Sequence, residues 1–496
     1  MSGSWVTYYA IGQILYFLGF AAVFYFLALP VDWVEVSDTA EPPAGDQPLI
    51  VLAYPVLRED VPTMTTTLTA LSWLEYPRSR YRIIAIPNSD DHNTIAALRL
   101  LQRQFEYLEI MEVPPTTHPS WDVVWRAWAA NPKAYWFHQG STRGRRGLLP
   151  KKTRQLIYLF YNLVEEIGTD WVLDYIDADS MPPPGHFAAA AAGLKHFDVL
   201  QASNVAGNLL DSMPATWHSF DHMCWDGLLY PHMSAHGAHP FYVLGKGLFY
   251  RASDLRDVGG FNPWITIEDP EVGMRLWVSG KRLGVIFDPL IEEVPRTLIR
   301  GIIQRDRWMC GFFQSLGRPL EQMGMPLRRR MQARLNLVPV LSLPVNTVGL
   351  PSGAYALYLS FTGESRFAFW LIALSVINIA SYLVVLGIVY VNAWRRTRLV
   401  LDATRLRVWY LLRINPLSLF VYHTIWTIPI VNGFVMYLGN RGKAWVRTQK
   451  VDADHRFGAE GVIALKERLR SVARPAAEPR PGRAGRLRLR PRGRGR

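Results

Sequence analysis

Trp171-Val172-Leu173-Asp174-Tyr175-Ile176 runs directly into Asp177-Ala178-Asp179. A short, largely apolar run reads as a buried strand, so it carries two carboxylates, one residue apart, at its carboxyl end. Upstream, residues 48–54 (Pro-Leu-Ile-Val-Leu-Ala-Tyr) read as a strand after a Pro/Gly/Asp-rich linker at 39–47. Residues 60–75 look helical, with Leu68, Leu71 and Leu74 at spacings of three. Strands are expected at 81–86 and 108–113, and helices at 94–105 and 151–167. Alternation of this kind predicts an α/β domain whose mostly parallel sheet has helices on both faces. Ligands of such sheets sit beyond the carboxyl ends of the strands, where both Asp90-Asp91 and Asp177/Asp179 fall.

The chain is apolar for its length, with 49% hydrophobic residues in 496. Residues 9–29 form an uncharged apolar run, enough to cross roughly 30 Å of hydrocarbon. No Lys or Arg precedes it, so it reads as an anchor rather than a signal peptide. Further apolar runs lie at 335–361, 367–391 and 417–438, the last interrupted by Pro429. Arg328-Arg329-Arg330 precedes the second run, and Trp394-Arg395-Arg396-Thr397-Arg398 follows the third. These basic flanks place the polar domain on the cytoplasmic side of a cell membrane. Of the net charge of +13, residues 466–496 carry +10, so the body is not a basic nucleic-acid binder. This Arg/Pro/Gly tail cannot build a core and is expected to be disordered, with lipid headgroups as its natural partners. Two cysteines, Cys224 and Cys310, make no disulfide framework and fit a reducing compartment.

The expected organisation is an anchor at 1–33, a catalytic domain at 34–330 and membrane or interfacial helices at 331–440. A loop at 441–465 and the basic tail at 466–496 complete it.

Three clusters carry chemistry. Asp177 and Asp179 offer hard oxygen ligands to Mg²⁺ or Mn²⁺, which bridge carboxylates to phosphates. Trp264-Ile265-Thr266-Ile267-Glu268-Asp269-Pro270 opens a helix expected over 271–278; Asp269 there suits a general base toward a hydroxyl, or a plain helix cap. Gln304-Arg305-Asp306-Arg307-Trp308 sets guanidiniums where a pyrophosphate would bind and a flat ring for a sugar. Alternatively it is a basic amphipathic helix against the membrane. His218 and His222 stand four apart, but no zinc-module spacing matches, so packing or acceptor contacts are the expected roles.

These clusters, in this order and followed by apolar spans, resemble the membrane-integrated family-two glycosyltransferases, the cellulose, hyaluronan and mannan synthase-like proteins. The resemblance implies a GT-A-type fold and inverting transfer from a nucleoside-diphosphate sugar to a glycan or lipid-linked acceptor. Processive polysaccharide synthesis is the first expectation, and single transfer to a lipid-linked acceptor the alternative. It implies Asp177 and Asp179 for metal, Asp177 also for donor, Asp269 with Glu268 for catalysis, and Gln304, Arg307 and Trp308 for diphosphate and acceptor. Gly245-Lys246-Gly247, before Val258-Gly259-Gly260-Phe261, looks like the family's glycine-rich loop, with Gly245 and Gly247 at the acceptor. Pro55, Glu59 and Lys152 match donor-binding positions. The base-binding acid departs from the usual pattern and falls on Asp90 or Asp91, with Asn88 possible. Trp445-Val446-Arg447-Thr448-Gln449-Lys450 is similar to a gating loop, with Trp445, Thr448 and Lys450 as its contacts. If every later run crosses the membrane, that loop lies on the wrong side. Either an interfacial or re-entrant 417–438 run, bent at Pro429, resolves the conflict, or a broken hairpin at 335–361 around Pro344 and Pro351 does, the first being the favoured expectation. Accessory export subunits fit a synthase. The competing classes are an inactive glycan-binding or scaffolding membrane subunit and a transporter; a transporter predicts intramembrane charges, and runs 9–29 and 367–391 contain none.

Overall fold

The computed structural model describes residues 3–34 and 47–439, apart from 238, 318 and 365. The loop at Trp445–Lys450 and the basic tail lie outside the described residues. Eight strands among them form one sheet: β1 (Trp33–Val34), β2 (Ile50–Tyr54), β3 (Tyr81–Ala85), β4 (Leu108–Ile110), β5 (Val172–Tyr175), β6 (Val199–Ala206), β7 (Leu248–Arg251) and β8 (Leu283–Glu292). Their order is β1-β8-β6-β7-β5-β2-β3-β4, parallel throughout except for β7, which runs antiparallel to β5 and β6. Every residue of β2, β5 and β6 is buried, as strands covered on both faces must be.

The expected strands and helices at 48–113 and 151–176 are present within a few residues. β6, β7 and β8 were not anticipated. β7 begins directly after Gly247, inside the glycine-rich stretch, and its two neighbours come from distant parts of the chain, so no local alternation announces it.

Helices cover the sheet with ordinary local logic. Asp60 caps Val61–Leu71 by accepting the Thr63 N–H at 2.9 Å, with Pro62 in the first turn. Lys152–Ile167 buries a wide face, including Leu156, Leu159, Phe160 and Leu163. Above it Trp121, Trp125, Trp128 and Trp136 pack ring to ring. Asp269–Val278 is pinned from below by a buried pair: Arg275 donates to both Glu271 oxygens at 2.8 Å and to the Gly260 carbonyl at 2.6 Å. Tyr135 donates to the same carboxylate at 3.0 Å.

Among the described residues, four helices are long and apolar enough to cross a membrane: Trp5–Leu27, Leu327–Phe361, Phe369–Leu399 and Pro416–Leu438. Polar side chains between them bond to one another, which lowers the cost of a polar group in apolar surroundings. Gln13 donates to the Gly349 carbonyl at 2.7 Å and accepts from Asn378 at 2.8 Å, and Tyr16 donates to Asn346. Neither Val338–Phe361, with Pro344 and Pro351 inside it, nor Pro416–Leu438, with Pro429, is interrupted. Pro416–Leu438 lies along the helix Leu298–Leu316, which carries Gln304–Trp308. Its Gly433 packs so close to Met309 that a Cβ there would stand 2.5 Å from the Met309 Cβ.

Replacing Arg275 by Met leaves Glu271 charged and buried without its partner. The expected loss is about 3–5 kcal/mol, measured as a lowered unfolding midpoint of the detergent-solubilised protein.

Candidate active site

The carboxyl ends of β2 and β5, the turn before β7 and the start of Asp269–Val278 converge on one cavity of about 430 Å³. Its walls include Pro55, Glu59, Lys152, Asp177, Gly245, Glu268, Asp269, Gln304, Arg307 and Trp308. Ten of the positions singled out in the sequence, scattered over 250 residues, therefore face one space. Asp90, Asp91, Asp179 and Gly247 do not line it.

Lys152 is central. Its Nζ donates to Asp177 Oδ1 at 2.7 Å and to the Gly245 carbonyl at 2.6 Å. Burial opposes its charge, but Asp177, Glu268 and Asp269 outweigh that, so its pKa stands above the ordinary lysine value. One residue earlier Lys151 donates to the Ile265 carbonyl at 3.0 Å; burial lowers its pKa. Thr153 donates to Glu268 at 3.0 Å. The first turn of one helix thus holds both acidic motifs.

Asp269 is a strongly perturbed carboxyl of the cavity. Its pKa is pushed up to about 8, by burial first and by the adjacent Glu268 second, with Lys152 pulling it down. A carboxyl raised so far is a functional candidate on physical grounds. The sequence left Asp269 open between base and N-cap. It is the first helical residue, its side chain faces the cavity, and the preceding Glu268 makes no side-chain cap bond.

The glycines divide. A Cβ on Gly245 would sit 3.0 Å from the Asp269 carboxylate, so a side chain there would push on that group. Gly247 has φ +60°, and its Cβ would meet Leu290 and Ala202 in the sheet. The first glycine borders the site, whereas the second permits a turn.

The acids separate too. Asp177 lies against Lys152 and the cavity, whereas Asp179 is buried within electrostatic reach of Tyr54 and Glu292. Asp91 caps the helix His92–Gln102 and accepts the Arg58 N–H at 2.7 Å. Asn88 accepts from the buried Arg154 at 2.5 Å, and Asp90 adds to the field at Arg154.

Within Gln304–Trp308, only Arg307 turns its charge to the cavity. Arg305, expected to share pyrophosphate binding, instead donates twice to Asp221, with Nε at 2.9 Å. Tyr422 also donates to Asp221 at 2.8 Å, and Trp426 at 3.3 Å. The Arg305 guanidinium lies 5.3 Å from the ring centres of both Trp308 and Trp426. Sequence reading missed Asp221, which is 84 residues from Arg305 and sits in no recognisable motif. His218, four residues before His222, points elsewhere, to the Tyr422 hydroxyl at 3.1 Å. Burial first and Arg305 second push its pKa down to about 2. Cys224 and Cys310 are both free thiols.

The far wall of the cavity is membrane-like. Phe20, Val23 and Leu27 come from the first apolar helix, Val340 and Leu343 from the second, and Val385, Leu386 and Val389 from the third. His423 and Trp426 come from the fourth.

A mostly parallel sheet with acids at its strand ends is joined here to long apolar helices. The family model described as glycosyl transferase family group 2 matches residues 171–438, more than half of the chain, and the protein belongs to that family. It is a glycosyltransferase. No curated protein matches the chain in sequence.

Among solved structures, it is similar to the mannosyltransferase PcManGT from Pyrobaculum calidifontis in complex with GDP-Man and Mn²⁺. That match has 16% identity, a TM-score of 0.47, and covers 88% of this chain and 99% of the other. TarS 1-349 from S. aureus in complex with UDP-GlcNAc is 12% identical with a TM-score of 0.34, over 80% of this chain and 93% of that one. Glucosyl-3-phosphoglycerate synthase from Mycobacterium tuberculosis is 11% identical with a TM-score of 0.31, over 60% and 90%.

Gly245→Ala is expected to displace the Asp269 carboxylate and slow transfer by on the order of tenfold to hundredfold. Nucleotide-sugar binding, followed by calorimetry, should survive.

Proposed function

We propose that this glycosyltransferase performs inverting transfer of a sugar from a nucleoside diphosphate to a hydroxyl of a lipid-linked acceptor. The observation that carries the reading is the cavity itself, with Asp269, Lys152 and Arg307 at one side and apolar side chains of membrane-type helices at the other. An amphiphile with a polar head and a hydrocarbon chain matches both walls.

In this reading Asp269 takes the proton of the acceptor hydroxyl as that oxygen attacks the anomeric carbon. The bond from that carbon to the diphosphate breaks on the opposite face, and the diphosphate leaves with the electron pair. Lys152 and Arg307 stabilise its charge, and burial, with Glu268 held by Thr153 second to it, keeps the Asp269 pKa high. Pro55 and Glu59 border the donor, with Asp90 and Asp91 toward the base. Gln304, Trp308 and Gly245 border the acceptor. Of the two acids after β5, Asp177 lines the cavity and offers hard oxygen to a divalent cation at the diphosphate, with Asp179 buried behind it. Mg²⁺ or Mn²⁺ held there would neutralise diphosphate charge.

The basic flanks support a cytoplasmic catalytic domain. The contacts of Pro416–Leu438 support an interfacial rather than a crossing helix. At about 1.5 Å per residue, Ser418 to Tyr437 spans some 30 Å. Along that length it meets Trp217, Asp221, Asp306 and Phe313 of the catalytic domain. A helix leaving that domain through the bilayer would lose such contacts within a few turns. With three crossings the chain beyond it returns to the cytoplasmic side.

Aromatic rings in the cavity (Tyr16, Tyr382, Trp308 and Trp426) favour a second reading, processive polysaccharide synthesis. Product size separates the two. Membranes supplied with radiolabelled uridine- or guanosine-diphosphate sugars are expected to yield a short, organic-extractable product; a long polymer would replace the first reading by the second.

Asp269→Asn should lower transfer by roughly 10²–10⁴-fold while donor binding persists. Below its pKa Asp269 holds its proton and accepts no other, so the transfer rate should rise as pH increases through about 8. A flat profile between pH 6 and 9 would sink the base assignment.

A further inference from the structure

A second ionisable cluster borders the same cavity and takes no part in the transfer described above. The helix Met213–Asp221 continues into an eight-residue π-helix, His222–Leu229, a rare form that occurs mostly at functional sites. It presents His222 and Asp226 toward the end of β8, where Glu292 stands. His222, Asp226 and Glu292 each offer one ligand atom within 4.8 Å of the other two. Nδ1 is 2.8 Å from the Asp226 oxygen and 3.8 Å from the Glu292 oxygen. All three residues are buried, and all three face the cavity.

Glu292 supplies an independent observation. Its side chain is 5% exposed, Oε2 accepts from Lys246, and Oε1 has no hydrogen-bond donor although it is fully enclosed. An unsatisfied buried carboxylate oxygen is costly, and this one points at His222 and Asp226. We propose that His222, Asp226 and Glu292 bind one divalent transition-metal ion, at a site separate from Asp177 and Asp179.

The geometry suits such an ion. Metal–ligand distances of about 2.0–2.2 Å put neighbouring ligand atoms about 3–3.5 Å apart, and the two observed separations bracket that range. An imidazole nitrogen beside two carboxylates selects Mn²⁺ or Zn²⁺ over Mg²⁺ and Ca²⁺. Lys246 on the opposite oxygen of Glu292 orients the carboxylate in the manner of an outer-shell partner. Arg396 packs against Gly227 and donates to the Asn204 carbonyl at 2.9 Å, flanking Asp226 from the membrane side. In the rival arrangement the Lys246–Glu292 pair and the His222–Asp226 hydrogen bond close the cluster on itself, leaving no room for a cation.

The test uses the full chain in detergent, stripped with chelator and loaded with Mn²⁺ alone, without nucleotide. Pulsed electron paramagnetic resonance then reads nitrogen coupling to Mn²⁺, which an imidazole ligand produces and the aspartates of the 177–179 turn cannot. The coupling is expected in the parent protein and in Asp177→Asn, and is expected to vanish in His222→Gln. Asp226→Asn should lower the bound Mn²⁺ by one equivalent with the circular dichroism spectrum unchanged. No nitrogen coupling in the parent, coupling that survives His222→Gln, or coupling that disappears in Asp177→Asn would each overturn the proposal.

Discussion

The ammonium of Lys152 is the point on which the site turns. It binds the Asp177 carboxylate and the Gly245 carbonyl together, tying the end of β5 to the turn that precedes β7. Asp269 and Glu268 lie close enough for that charge to be felt. Without a buried cation at this place, Asp177, Glu268 and Asp269 would lose the charge that acts on all three. With it, they remain close, and one of them, Asp269, carries a pKa suited to exchanging a proton near neutrality.

A second buried pair joins this chemistry to the membrane part. Asp221 receives donors from Arg305, Tyr422 and Trp426, so a catalytic-domain helix, the Gln304–Trp308 helix and the last apolar helix meet at one carboxylate. A buried ion pair is weak evidence of stability in itself, because desolvation offsets its attraction. Its consequence here is registry: Trp308 and Arg307 are held at the cavity while their neighbour Arg305 is held away from it. Gly433 against Met309 sets the same contact by shape.

Much of this was legible beforehand. Strand–helix alternation through Ile176 announced the sheet, since a buried parallel strand is continuously apolar and easily read. Asp177, Glu268-Asp269, Gln304, Arg307 and Trp308 were marked by chemistry and order, and these residues line one cavity. β7 was hidden because its antiparallel insertion has no local signature, and β6 and β8 because each finds its partners across a long stretch of chain. Arg305 was misassigned because neighbouring guanidiniums in a sequence look alike. On a helix, residues two apart point to different faces, so Arg305 and Arg307 have different fates. Gly245 and Gly247 also looked equivalent, yet one yields to Asp269 and the other to Leu290.

Sequence alone determined the class of fold, the apolar runs and the residue types available for catalysis, because periodicity and side-chain chemistry are local properties. Tertiary structure decided which of those residues share a space. It drew Asp269 out of solvent and raised its pKa. It assigned Asp91 to a helix cap, and brought His222, Asp226 and Glu292 together from two separate segments. Burial and proximity belong to the packed chain, and no reading of neighbours along the sequence contains them.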